Sequence, residues 1–215
     1  MMIDEPDPVL LIGAGPVELA DYRAAHAFTH AVVAADGGAE RAIDLGVTPK
    51  AVFGDLDSLK DEVRAILPAG VLHRSGDQDS TDLDKCLSRI KAPLVIGIGF
   101  SGGRLDHQLA MCNSLVRFSD LRCIMVGQGN LLFLCPLDIR MDLPPGTHMG
   151  LFPMAHVRGT SKGLRWPIDG IAFSPDGRVG TSNSVTGKVE LTFSAPKMLV
   201  TLPADCLQDA IAALT

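Results

Sequence analysis

Five short apolar runs, rich in β-branched residues, punctuate the first part of the chain: VLLIG at 9–13, AVVAA at 31–35, AVFG at 51–54, LVIGIG at 94–99 and RCIMV at 122–126. Each is broken by Gly or Asp and reads as a buried strand. Between them, apolar residues recur at three- and four-residue spacing over 17–28, 59–67, 83–90 and 105–118, which predicts amphipathic helices. Strand alternating with helix predicts an α/β domain with a mostly parallel sheet and flanking helices.

After about Asn130 the texture changes. Gly, Pro, Ser and Thr become frequent, and THMGLF, VELTF and KMLVTL are separated by turn signals such as SPDG and VTG. This half predicts a C-terminal all-β sandwich domain. The shift falls around CPLDIRMDLPPG, so the expected domains are 1–138 and 139–215. ADCLQDAIAAL at the end has helical spacing and an Asp near its start, which predicts a short closing helix.

Charge and cysteine usage narrow the classes of partner. A formal charge of −6 argues against a nucleic-acid backbone but leaves room for a small anionic ligand held by local donors or a metal. No window approaches the roughly 18 apolar residues of a membrane span. Five widely spaced cysteines, with no CxxC pair and no secretory signal, read as reduced thiols and predict a soluble cytoplasmic protein.

In open α/β sheets ligands gather beyond the carboxyl ends of strands, and here those positions are acidic. Asp36 follows the second run in ADGG, and Asp55 and Asp57 follow the third in GDLDS. On an extended turn Asp55 and Asp57 point to one side and could share a magnesium ion; as turn and helix-cap residues they need no ligand at all. Asp77, Asp79, Asp82 and Asp84 crowd DQDSTDLDK at the start of a helix that Ser80 or Thr81 would cap. The helix dipole accounts for one or two of these carboxylates, and a cation for the rest. Lys85 shares a helical face with Asp82, either to meet a phosphate or to form an ion pair.

In GFSGGRLDHQ, Gly102 and Gly103 bring backbone N–H groups close to a ligand or merely make a turn, Arg104 offers a phosphate fork, and His107 is either functional or a helix histidine. The GAG at 13–15 lacks the third glycine of a dinucleotide fingerprint and is discounted.

In this order, ADGGA, GDLDS, QDSTDLDK, GGRLDHQLAMCNSL, GLRWPI and TSNSVTG resemble the thiamine pyrophosphokinase family, and the likeness spans most of the chain. It implies a nucleotide domain followed by a β-sandwich, a homodimer with thiamine bound at the subunit interface, and transfer of pyrophosphate from ATP to the thiamine hydroxyl with Mg2+. It further implies Asp55, Asp57, Asp82 and Asp79 as metal ligands; Gln78, Thr81, Lys85 and Arg104 as phosphate or substrate contacts; and Asp36, Asp106 and His107 at the same cleft. Trp166, the only tryptophan, would be the platform for the cationic thiazolium, and Ser182 and Asn183 would meet the pyrimidine. Phe100 and Ser101 and the tail beyond Pro203 depart from the family pattern. The rival readings are a pyrophosphokinase for another alcohol, such as a hydroxymethyl pterin, and a non-catalytic thiamine or nucleotide binding protein. GLRWP and TSNSV favour thiamine over the first, and the clustered carboxylates favour an enzyme over the second.

Overall fold

The computed structural model describes residues 2–57, 59–77 and 79–215, so Gln78 and the Ser58 of GDLDS lie outside the described residues. The chain divides by its internal contacts into residues 1–114 with 125–128, and residues 115–124 with 129–215.

The first unit carries β1 (Ile3–Asp4), β2 (Val9–Ile12), α1 (Leu19–His26), β3 (Ala31–Ala35), α2 (Gly38–Asp44), β4 (Ala51–Gly54), α3 (Asp61–Ile66), β5 (Leu72–Arg74), α4 (Asp82–Leu87), β6 (Ile90–Lys91) and β7 (Val95–Ile98). The division passes through α5 (Leu105–Arg117) and β8 (Cys123–Gly127). Every residue of β2, β3, β4 and β7 is buried, which is why these strands read as unbroken apolar runs rather than as an alternation. They pair in parallel in the order β7-β2-β3-β4-β5.

The predicted helices are present, trimmed by one to three residues at most ends. One helix was not foreseen. α2 buries only Gly38, Ala39 and Ala42 against the sheet, and the glycine is obligatory, since a Cβ on Gly38 would lie 2.0 Å from the Ile12 carbonyl oxygen. Ala39 joins Ala34, Val52, Leu56, Leu59 and Leu67 in one apolar cluster that Ile43 and Val63 flank.

The second unit is antiparallel, with β9 (Asn130–Leu134), β10 (Asp138–Met141), β11 (His148–Pro153), β12 (Val157–Leu164), β13 (Ala172–Phe173), β14 (Gly180–Phe193) and β15 (Met198–Pro203), then α6 (Leu207–Leu214). β9 pairs with β15, β15 with β11, and β11 with the first half of β14. The second half of β14 pairs with β12 and β10. β14 therefore serves three ladders, one on its first half and two on its second, which explains its length. The predicted closing helix forms, with Cys206 before it giving no side-chain cap and Asp209 in its first turn.

Four cysteines are buried and Cys112 is half-buried. Burial pushes the Cys123 thiol up to about 12, so it stays protonated and packs as a small hydrophobe. Among the described residues no helix is long and apolar enough to cross a membrane.

Candidate active site

The parallel sheet changes its direction of growth at β2: β3 lies on one side and β7 on the other. Loops leaving the carboxyl ends of β2 and β7 part at this point, and a crevice opens there. Here the crevice is a cavity of about 620 Å³. Its floor is backbone. A Cβ on Gly13 would sit 2.5 Å from the Gly99 carbonyl oxygen, and one on Gly99, whose φ is +75°, would sit 2.6 Å from that of Gly13. The two loops touch main chain to main chain and are tied by Gly15 N–H donating to Gly99 O at 2.9 Å.

Asp36, Asp55, Thr81, Asp82, Lys85, Arg104 and His107 all line this cavity. Asp36 leaves β3 with a left-handed φ of 43° and is buried; it lies so close to β4 that a Cβ on Gly54 would come within 2.7 Å of its own Cβ. Left-handed non-glycine residues are uncommon and cost of order 1–3 kcal/mol each. The described residues hold four, and three of them, Asp36, Leu56 and Ser182, fall in ADGG, GDLDS and TSNS.

The acids of DQDSTDLDK separate into two kinds. Thr81 caps α4: its hydroxyl accepts from Asp84 N–H at 3.1 Å while the Asp84 carboxylate accepts from Thr81 N–H at 3.2 Å. This capping box occupies Asp84, which is buried. Asp77 accepts from Ser80 O–H and from Asp79 N–H, and the Ser80 hydroxyl, then the backbone, hold its carboxyl below the usual aspartate range. Local structure thus accounts for two of the four carboxylates, the number that capping can explain. Asp82 faces the cavity, whereas Asp79 is exposed and outside its lining.

Lys85 reaches Asp82 Oδ1 at 2.9 Å, with its own side chain only 5% exposed. Burial alone would lower its pKa. The hydrogen bond to Asp82 and the charges of Asp82, Asp55 and Asp36 outweigh burial and leave it above the ordinary lysine value. Of the two sequence readings the ion pair is the one that forms, and both of its members line the cavity.

The extended D-x-D turn is not what forms. Leu56 has φ 63° and buries its side chain in the α2–α3 cluster, so the backbone reverses between the two acids. Asp55 lines the cavity and accepts from Asp57 N–H at 3.1 Å, while Asp57 points to Arg74 at 3.5 Å, both of them exposed. The Asp57 ion pair is weak at that exposure, so its carboxylate is easily drawn elsewhere.

At the next loop Arg104 lines the cavity and donates from Nε to Asp106 Oδ1 at 3.1 Å. Asp106 is outside the lining; the hydrogen bond from Arg104 holds its carboxyl below the usual range, and it fixes the guanidinium that lines the cavity. Gly103 lines the cavity, but Gly102, with φ 80°, makes room for the Gln128 side chain.

As a magnesium site the residues fit one kind of occupancy. Asp55 and Asp82 give two carboxylates at one cavity, with Asp36 beside them, yet among the described residues no three acidic, His or Cys side chains form a closed metal cluster. Magnesium commonly takes one or two carboxylates and fills its remaining positions with water and substrate phosphate, which such a donor set suits.

In the second unit the buried Asn183 spends its amide on main chain. Its Oδ1 accepts from Trp166 N–H at 3.2 Å and Ser184 N–H at 2.9 Å, and its Nδ2 donates to Trp166 O at 2.7 Å. Asn183 is therefore first a clamp on Trp166, and only one of its N–H bonds is left for a ligand. Ser182 precedes it in the left-handed region, with φ 65°. Trp166 is 54% exposed.

Gly13, Ala14 and Gly15 were set aside in the sequence because they fail a dinucleotide fingerprint, but they line the cavity. Their place after the first strand was the signal. Phe100 and Ser101 of GFSGGR and Ala110 and Met111 of GGRLDHQLAMCNSL also line it, although none of the four was a predicted site residue.

Two family descriptions match the chain in sequence: "Thiamin pyrophosphokinase, catalytic domain" over residues 23–126 and "Thiamin pyrophosphokinase, vitamin B1 binding domain" over 136–198. Thiamine pyrophosphokinase 1 of Oryza sativa subsp. japonica is 34% identical over 188 residues, covering 71% of this chain and 71% of its own. Thiamine pyrophosphokinase of Bacillus subtilis (strain 168) is 33% identical over 144 residues, covering 61% and 67%. In fold, the thiamin pyrophosphokinase structure from Candida albicans superposes with a TM-score of 0.78 at 15% identity, over 94% of this chain and 95% of that one. That from Geobacillus thermodenitrificans gives 0.75 at 23% identity, over 91% and 96%. A mixed α/β chain with its acids, lysine and glycines at one switch-point cavity, matched by both domain descriptions and by relatives over most of its length, belongs to the thiamine pyrophosphokinase family.

Proposed function

We propose that this chain transfers pyrophosphate from ATP to the hydroxyl of thiamine, giving thiamine diphosphate and AMP. The observation that carries the reading is the convergence of Asp55, Asp82, Thr81 and Lys85 on the cavity walled by the Gly13–Gly99 crossing. Such a cavity offers a polyphosphate both backbone proximity and a buried cation.

The thiamine oxygen bonds to the β-phosphorus as the bond from that phosphorus to the bridging oxygen of AMP breaks. AMP leaves with the electron pair, and the hydroxyl proton is lost. In-line transfer of this kind asks the protein mainly for alignment and charge neutralisation. Lys85 and Arg104 supply positive charge, and Asp82 holds the Lys85 ammonium in place. Asp55 and Asp82 would hold Mg2+, with Asp57 and Asp79 on the same loops as further ligands. When bound, the ion neutralises negative charge on the phosphates. Gln78, Asp36, Thr81 and His107 complete the substrate contacts, Trp166 receives the thiazolium, and Ser182 and Asn183 meet the pyrimidine.

The ladders on the two halves of β14 are read as the layers of a sandwich, within domains 1–138 and 139–215. A homodimer with thiamine at the subunit interface and a cytosolic setting belong to the same proposal, with light scattering as the check on the dimer. The deciding assay mixes ATP, Mg2+ and thiamine and measures AMP and thiamine diphosphate together. AMP without thiamine diphosphate, or transfer to a hydroxymethyl pterin in preference to thiamine, overturns the reading.

A further inference from the structure

We propose that Arg165 sets the affinity for the cationic acceptor by occupying one face of Trp166, a role that rests on Trp166 being the thiamine platform. The Arg165 guanidinium carbon lies 4.9 Å from the centroid of the Trp166 ring, inside the range over which a cation is attracted to an indole face. The position is built, not accidental to a floppy chain. Arg165 N–H donates to Ser184 O at 2.8 Å, Trp166 is clamped on both backbone sides by Asn183, and Pro167 follows, restricting the Trp166 backbone. Among the described residues no carboxylate forms an ion pair with Arg165.

The half-exposed ring thus already carries a cation. Thiamine brings a second, the thiazolium. On the same face the two are mutually exclusive; on opposite faces they repel across one aromatic ring. Either way the bound form gives up part of the Arg165 contact. A neutral aminopyrimidine alcohol, which shares thiamine's other ring, meets no such charge penalty. Arg165 is a specificity-determining residue that weakens binding of the cationic acceptor relative to neutral ring compounds.

The chain's single tryptophan makes the test direct, because all indole emission comes from the platform. Thiamine and, separately, the neutral 4-amino-5-hydroxymethyl-2-methylpyrimidine are titrated into the full-length wild type and the Arg165→Met and Arg165→Lys variants. The Arg165 N–H tie to Ser184 is main chain and survives both substitutions. A contact at an exposed ring corresponds to about a two- to five-fold change in Kd. Arg165→Met is expected to bind thiamine tighter by that factor, Arg165→Lys to stay near wild type, and the neutral pyrimidine to be unaffected. Unchanged or weaker thiamine binding by Arg165→Met overturns the proposal, as does an equal gain for the neutral compound, which would mark simple steric relief. If thiamine leaves wild-type emission unchanged while thiamine diphosphate is still formed, the platform reading itself has failed.

Discussion

Replacing Lys85 by Met separates a functional lysine from a structural one. Met keeps the length of the stem and the helix preference of α4, so the change removes little besides the charge. At 2.9 Å from Asp82 and an effective dielectric of about 20, the lost attraction is about 6 kcal/mol. Desolvating a buried ammonium costs several kcal/mol in the opposite direction. The folded state nevertheless favours the charged form, so attraction wins; with Asp82 39% exposed and screened by solvent, the net is about 1 kcal/mol. That corresponds to a fall in Tm of about 2–4 °C for a chain of this size. Transition-state charge is another matter: removing one preorganised donor typically costs about 10²–10³ in kcat. The sign with pH follows from the raised pKa. The stabilisation is complete below the unfolded value near 10.5 and is lost as pH rises through the folded one, so the difference in Tm between the two proteins stays flat from pH 6 to 9. Calorimetry beside an AMP-release assay tests both numbers. A kcat within about five-fold of wild type, or a fall in Tm beyond about 8 °C, would refute a lysine that faces the transferred group.

Gly99→Ala forces a Cβ into the Gly13 carbonyl at a left-handed position and is expected to cost about 1–3 kcal/mol, with loss of nucleotide binding measured by calorimetric titration. Thr81→Ala removes the cap of α4 and should lower stability by about 1 kcal/mol in a denaturant titration, whereas Thr81→Ser restores it. Asn183→Ala releases the part-buried main chain of Trp166; stability falls by about 1 kcal/mol, and steady-state kinetics should show KM for thiamine rising while KM for ATP stays level.

The parallel strands were legible because burial on both faces writes itself as an unbroken apolar run. α2 was not, because its buried face is glycine and alanine, and a small residue chosen for clearance looks like a turn. The acidic loops were legible as a site but not residue by residue. Whether Asp84 or Asp82 faces the cavity depends on which one closes the capping box, and the spacing allows either to look functional. Asp57 turned away because a leucine, not a glycine, takes the left-handed position, and no propensity announces that. The main-chain clamp that Asn183 makes was not legible, because a buried amide holding main chain and one holding a ligand have the same sequence signature.

The left-handed Leu56 links the site to the stability of the first unit. Its side chain is held by the cluster of Ala39, Val52, Leu59 and Leu67, and without that grip the backbone would relax toward an ordinary conformation and carry Asp55 with it. The position of Asp55 at the cavity therefore depends on the small core beneath it. Heat or a cavity-forming substitution at Leu67 should switch the enzyme off while most of the sheet is still folded.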